Sequence, residues 1–362
     1  MILAPMRRRP SDSNHAAPRT ALKMAQAETE RLTEIICGAA LSRAVCTIAE
    51  LGIADQIQPG SPQAVESLAE ATGTHARSLY RLLRFLALRF LASHEIFEEK
   101  GNHQFDHTQL SQCLRSDAEG SFRPAARVLH PIFPFWDGLH HSAITGESGF
   151  NKIFGRPFFE YLGTHPDLAR IFDAAMSASH VHQTAAMLEA YDFSGVHFLA
   201  DVGGGTGSLV SAVLQRYPKL RGLLFELGNV AGRARENLKA CSLDGRCSVI
   251  EGNFSESIPG GADTYLFRHV IHDWNDDQSV QILNNCRKVI PQNGRLLIIE
   301  AVMPTGNGPS VTKHMDMLMM ILPGGIERTE EEYRFLLKQA GFQLSSITPT
   351  TSLISVIEAK PI

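Results

Sequence analysis

Disulfide and metal chemistry have little to work with in this sequence. The six cysteines (Cys37, Cys46, Cys113, Cys241, Cys247 and Cys286) are scattered, with no Cys-x-x-Cys pair and no zinc-site spacing. Most sit inside apolar helical patterns, so they read as buried thiols in a reducing compartment, the cytosol. There is no excess of one charge. With 34 basic and 38 acidic residues the net charge is −4, which gives no general reason to expect nucleic acid. No apolar run is expected to reach the length of a bilayer span. The apolar start, Met1 to Met6, is too short for a secretion signal, and Arg7, Arg8 and Arg9 follow it instead of preceding it. What remains is an ordinary globular composition and 362 residues, enough for two domains with cores of their own.

Four regions are expected. Residues 1–27 read as a disordered basic leader. Residues 28–115 open with an apolar helix from Glu28 to about Asp55, broken at Gly52. A second helix is expected over Ser61–Thr72 and a third over His75–Leu91, then a hairpin of Ile96–Glu98 with His103–Phe105. Helix, turn, helix, hairpin is the layout of a winged helix. Arg77, Arg81, Arg84 and Arg89 on the third helix invite a DNA-binding reading. Leu79, Leu82, Leu83, Phe85, Leu86 and Leu88 leave that helix little free surface, however, and the wing is acidic at Glu98 and Glu99. The broad apolar face of the first helix suits a second copy of the chain better. Residues 116–190 form a helical connector rich in aromatics, and the last domain is expected over 191–362.

That last domain is organised around Phe198-Leu-Ala-Asp-Val-Gly-Gly-Gly-Thr-Gly207. An apolar strand runs into four glycines, and a helical pattern follows from Ser208 to Arg216: the ligand end of a doubly wound α/β sheet. A nicotinamide fingerprint wants Gly or Ala where Ser208 stands. Asp201 would also repel a diphosphate, but suits a cation. S-adenosylmethionine, with an ammonium, a sulfonium and no phosphate, fits Asp201-x-Gly203-x-Gly205-x-Gly207; the alternative is a glycine turn that serves packing alone. Glu226, ending the next strand, can take the ribose hydroxyls, with Leu227 beside it. Asn253 and Phe254 follow another strand, where an amide can pair with an adenine edge while a ring packs on it. Two closing strands, Phe342–Thr348 and Leu353–Ala359, are joined too tightly for a crossover and must be antiparallel.

Methyl transfer to an oxygen needs alignment and removal of a proton. His272, at a strand's C-terminal edge, is the candidate base, with Glu300 and Glu327 as carboxylate partners that could fix its tautomer. His269, Asp276 and Asp277 form no convincing metal set, so no metal is expected. At Asp201–Gly207, Gly252-Asn-Phe254, His272-Asp-Trp274, Glu300 and Glu327-Arg-Thr329 the chain resembles the cation-independent small-molecule O-methyltransferases, a family that includes caffeate-type plant enzymes. The connector, with Gly146–Phe150, is most similar to phenazine and anthracycline tailoring enzymes. The resemblance covers about residue 28 to the end. It implies a Rossmann-like class I methyltransferase domain and an N-terminal, mainly α winged-helix domain that makes a homodimer. It also implies cofactor contacts at Gly203, Glu226, Asn253, Phe254 and Arg268, with His272 as base and Glu300 and Glu327 flanking it. The family usually has Asp where Glu226 and Asn253 stand. The acceptor is expected to be a polycyclic aromatic hydroxyl, phenazine-like or anthraquinone-like. Trp136, Phe172, Met176, Asp273, Met317 and Met320 are the candidate wall residues. Some relatives bind the cofactor yet catalyse other tailoring reactions, so hydroxylation, rearrangement and N-methylation stay open as alternatives.

Overall fold

The computed structural model describes residues 16–87 and 95–362. The chain divides into two compact units, one ending at Phe133 and one beginning at Pro134.

The first unit begins with α1 (Ala16–Leu51), which Gly52 ends in the left-handed region (φ 67°). Residues 16–27, expected in the leader, are thus helical. Five alanines among these twelve residues outweigh the scattered polar ones. Residues 1–15 lie outside the described residues, as do Arg89 and the expected end of the third helix. Next come β1 (Gln63–Ala64), α2 (Val65–Thr72) and α3 (Ala76–Ala87), then β2 (Phe97–Glu99), β3 (Gln104–His107), α4 (Gln109–Gln112) and α5 (Arg123–Ile132). The second helix starts later than expected because Gln63 and Ala64 pair antiparallel with β3, giving the sheet order β1-β3-β2 of a winged helix. Leu79, Leu83 and Leu86 bury one side of α3, and the helical repeat leaves Arg77, Arg81, Arg84 and Phe85 exposed on the other. The expectation of little free surface there is corrected.

A second correction concerns α1. By length and composition, Glu28–Leu51 is long and apolar enough to cross a membrane. From Leu32 to Ala49 only Glu34 and Arg43 carry charge. Ala44, Cys46, Ile48 and Ala49 pack into the core of this unit, while Leu32, Ile35 and Ile36, one helical turn apart, stay exposed.

The second unit starts with α6 (Leu139–Thr145), α7 (Gly149–Phe154), α8 (Phe158–Thr164) and the long α9 (Pro166–Ala190). Gly138 and Gly149 meet backbone to backbone: a Cβ on Gly138 would stand 2.6 Å from the Gly149 main chain. Then follow β4 (Phe198–Val202), α10 (Ser208–Arg216), β5 (Arg221–Glu226), α11 (Gly228–Ala240), β6 (Cys247–Glu251), β7 (Thr264–Arg268) and α12 (Asp276–Arg287). The chain closes with β8 (Arg295–Ala301), α13 (Val311–Ile321), α14 (Glu330–Gln339), β9 (Phe342–Pro349) and β10 (Ile354–Pro361). Seven strands stand in the order β6-β5-β4-β7-β8-β10-β9, all running the same way except β10, which is antiparallel to both its neighbours. Alternate side chains feed two cores. Ala200 and Val202 face Leu283 and Leu337 from α12 and α14, while Leu199 faces Val210, Leu238 and Met187 from α10, α11 and α9. The order reverses at β4, so β4, β5 and β7 end around one crevice.

The exposed stripe on α1 calls for a covering surface. Replacing Ile35 and Ile36 together by Asp is expected to convert a dimer into monomers at micromolar concentration in light scattering. An unchanged dimer mass would place the interface elsewhere.

Candidate active site

The loop after β4 turns on glycines. Gly203, Gly205 and Gly207 take φ of 69°, 58° and 81°, a region that L side chains seldom enter. Their surroundings differ. A Cβ on Gly203 would strike Val270, one on Gly204 would strike Asp201, and one on Gly207 would press on Leu224. On Gly205 it would meet nothing within 4 Å. Three of the four therefore pack the loop, and Gly205 borders open space. The Gly205 N–H donates to Glu226 Oε2 (2.9 Å) and the Leu227 N–H to Oε1 (2.8 Å), holding the strand-end carboxylate beside that space. Leu227 itself is exposed.

Asp201 lies beneath the loop, fully buried. Burial pushes its carboxyl up to about 6 against the pull of Arg268, and Oδ2 has no hydrogen-bond partner. Arg268, ending β7, donates to Thr184 Oγ1 on α9 (2.9 Å) and to Ser208 Oγ at the start of α10 (3.3 Å). Phe254 is half-buried and edge-on to Trp274 (6.1 Å). Asn253 shapes its own turn: Oδ1 accepts from the Ser255 N–H (3.0 Å) and Nδ2 donates to Glu256 (3.3 Å). An open glycine cradle, a strand-end acid and an orphaned buried carboxylate suit a ligand that is cationic and free of phosphate. S-adenosylmethionine fits them.

Val270, which packs against Gly203, leads into the turn Ile271–Asp273 that carries the candidate base, His272. His272 is buried, with Nδ1 2.8 Å from Glu327 Oε1 and Nε2 3.6 Å from Asp273 Oδ1. Burial alone would lower its pKa. The Asp273 charge, the Glu327 hydrogen bond and the Glu300 charge outweigh that and push it up to about 10. Asp273, half-buried at the same spot, is raised to about 6, chiefly by burial. Glu300 does not flank the imidazole as expected. Its Oε1 accepts from three consecutive backbone N–H groups, those of Val270, Ile271 and His272, and its Oε2 from Tyr333 Oη (2.6 Å). The reason is its address: at the end of β8, between β7 and β10, it is wholly buried and faces the main chain of the turn. Glu300 is a positioning residue. Among the described residues, no group of three metal-ligating side chains converges.

The expected acceptor wall is divided. Met315, Met317, Met319 and Met320 on α13 are all half-buried, and Met317 and Met320 share a face. Trp136 lies against His314 of the same helix (5.7 Å). Phe172 packs edge-on against Phe158, within a cluster that also holds Phe135, Phe150 and Phe154. Phe135, Phe150 and Phe158 are fully buried, so that cluster is core, with Phe172 at its half-buried margin and Met176 one turn on.

Sequence reasoning passed over Arg328. Buried to 1% exposure, it bonds Asp276 Oδ1 through Nε (3.0 Å) and Nη2 (2.9 Å), the carbonyls of Trp274 (2.9 Å) and Ile271 (3.3 Å), and Ser279 Oγ (3.2 Å). The Ile326 N–H donates to His272 O (2.8 Å), and any side chain on Gly325 would collide with that carbonyl. The segment bearing Glu327 is thus stitched to the turn bearing His272. Arg328→Met orphans these carbonyls and is expected to cost about 2–3 kcal/mol in urea unfolding. It should also lower turnover more than S-adenosylhomocysteine affinity in calorimetry. Equal losses in both would mean general damage.

A model of the O-methyltransferase domain matches residues 136–343, and one of the O-methyltransferase dimerisation domain matches residues 33–117. Phenazine O-methyltransferase PhzM of Lysobacter antibioticus is 37% identical over 333 residues, spanning 91% of this chain and 96% of that protein. The crystal structure of an O-methyltransferase from neocarzinostatin biosynthesis, in complex with S-adenosylmethionine and 2-hydroxy-5-methyl naphthoic acid, superposes with a TM-score of 0.78. It is 32% identical and covers 89% of this chain and 96% of its own. Aclacinomycin 10-hydroxylase RdmB of Streptomyces purpurascens is 33% identical over 304 residues, 82% of this chain and 80% of that protein. The chain belongs to the S-adenosylmethionine-dependent O-methyltransferase family and carries that family's homodimerisation domain ahead of its catalytic one.

Proposed function

We propose that this enzyme methylates a hydroxyl on a planar, fused-ring aromatic, with His272 as the base. The observation that carries the reading is the His272–Glu327 pair on a turn packed against the glycine cradle. The cofactor supplies an electrophilic methyl group on its sulfonium; Gly203, Gly205, Glu226, Leu227, Asn253, Phe254 and Arg268 would hold it, over the buried charge of Asp201. Glu327 accepts the Nδ1 proton of His272, which leaves the Nε2 lone pair for the acceptor. The acceptor oxygen would take the methyl group as its bond to sulfur breaks, leaving S-adenosylhomocysteine as the neutral thioether, while the acceptor's O–H proton passes to Nε2 of His272.

The electrostatics favour that transfer. A phenol has a pKa near 10, and an ordinary histidine accepts its proton only at a cost of about 5 kcal/mol. With His272 pushed up to about 10, donor and base are nearly matched. The same shift keeps His272 protonated at neutral pH, so its basic fraction grows as pH rises.

Half-buried methionines on α13, with Trp136 beside that helix, favour a flat apolar acceptor, since thioethers mould around rings. Phenazine- and naphthoate-directed relatives point to the same class. Hydroxylation, as in the RdmB relative, is the second reading. The retained base and its carboxylate favour methylation over it. All six cysteines are free, and although Cys37, Cys113 and Cys241 are exposed where buried thiols were expected, unpaired thiols fit a reducing, cytosolic compartment.

Gly205→Val is expected to abolish S-adenosylhomocysteine binding in calorimetry, because its side chain would fill the cradle. Undiminished affinity in a folded variant would move the site. The function is tested with labelled cofactor and a panel of fused-ring phenols, simple catechols and aliphatic alcohols. Fused-ring phenols should gain the label best, His272→Ala should slow turnover by about a hundredfold, and wild-type turnover should keep rising above pH 8. A profile that levels off near 6.5, or equal use of alcohols, would overturn the assignment, and an oxygenated product would support the second reading.

A further inference from the structure

A second imidazole stands beside the base and takes no part in the steps above. His269 adopts φ 53°, a left-handed conformation that non-glycine residues seldom hold without a local reason. Its Nε2 lies 2.8 Å from Gln183 Oε1 on α9. Its ring stacks on His180 (centroids 5.4 Å apart, planes at 12°) and neighbours the His272 ring (5.1 Å, 35°).

Gln183 is buried, and an amide oxygen only accepts, so the His269 proton sits on Nε2 and Nδ1 carries a lone pair. Nδ1 has no hydrogen-bond partner among the described residues. It is also not among the sealed orphan atoms, and His269 is only half-buried. Burial, helped by the neighbouring His272, His180 and Arg268 charges, holds the pKa of His269 well below 6.5. Burial and Arg268 likewise push His180 down to about 4, so the pair is neutral at working pH. A neutral ring of fixed tautomer, with one free acceptor atom, is built for one hydrogen-bond donor.

We propose that His269, oriented by Gln183, determines specificity by accepting a hydrogen bond from a second O–H or N–H next to the hydroxyl that is methylated. The acceptor class is then an ortho-dihydroxy or ortho-amino-hydroxy fused aromatic. Rings whose centres lie 5.1 Å apart can each reach one of two adjacent substituents on the same aromatic edge. The inference rests on the reading of His272 as the base.

The test compares 2,3-dihydroxynaphthalene with 2-naphthol in wild type, His269→Phe and Gln183→Leu, with S-adenosylhomocysteine calorimetry to establish folding. In wild type the diol should have a KM about tenfold below that of the mono-ol, the worth of one hydrogen bond. His269→Phe should erase that difference, and Gln183→Leu should reduce it. A loss of general packing would raise both KM values together and leave their ratio intact. A preference retained in His269→Phe, or absent from wild type, overturns the inference. If wild type methylates neither probe, the fused-ring reading fails by itself. The inference is then judged by nitrogen NMR of the imidazoles, where His269 should be the neutral Nε2–H tautomer at pH 7 and above and any other state refutes it.

Discussion

One carboxylate holds the catalytic turn in place. Glu300 ends a strand that has neighbours on both sides, so its charge cannot reach water and must be met from within. Three peptide N–H groups and the Tyr333 hydroxyl meet it. Because those N–H groups belong to Val270, Ile271 and His272, the charge that needs partners is also what fixes the main chain at His272. The antiparallel closure of the sheet supplies the burial: β10 pairs Ser355 with Glu300 and covers the edge that would otherwise admit solvent. Arg328 completes the arrangement by taking the carbonyls of the same turn, so donors go to an acid and acceptors to a base.

Around the imidazole the charges are unbalanced on purpose. Asp273 and Glu327 lie against one imidazole, with Glu300 held on the main chain of the same turn, and the Arg328 guanidinium is turned toward Asp276. Such an excess of negative charge raises the basicity of His272 far beyond what a lone carboxylate partner could achieve. Under the glycine loop Asp201 is a second buried acid, its carboxyl raised to about 6 by burial against the pull of Arg268.

Much of this was legible in the sequence because it is local. The strand–glycine–helix run, the acid at the end of β5, the His-Asp-Trp turn and the tight closing hairpin each lie within a few residues, and the structure keeps them. The misreadings have a common cause. Glu300 was recognised as part of the site, but whether it meets a side chain or a backbone depends on which strand lies beside β8. Arg328 looked like a neighbour of Glu327 and no more, because its partners lie some fifty positions away. Phe172 was expected in the acceptor wall, and only packing shows it at the margin of a core cluster. In α1 the alanines of residues 16–27 outweighed a polar appearance, and the apolar stretch that follows was longer than its few charges suggested.

The contact between Gly138 and Gly149 has a consequence for how such enzymes diverge. Each glycine excludes any side chain on the other, because the two main chains touch where α6 and α7 begin. Neither position can drift alone, whatever happens to the residues around it. The approach of α6 to α7 therefore depends on glycine at both positions at once. Directed evolution aimed at new acceptors would find those two positions closed to point mutation, and the methionine face of α13 open to it.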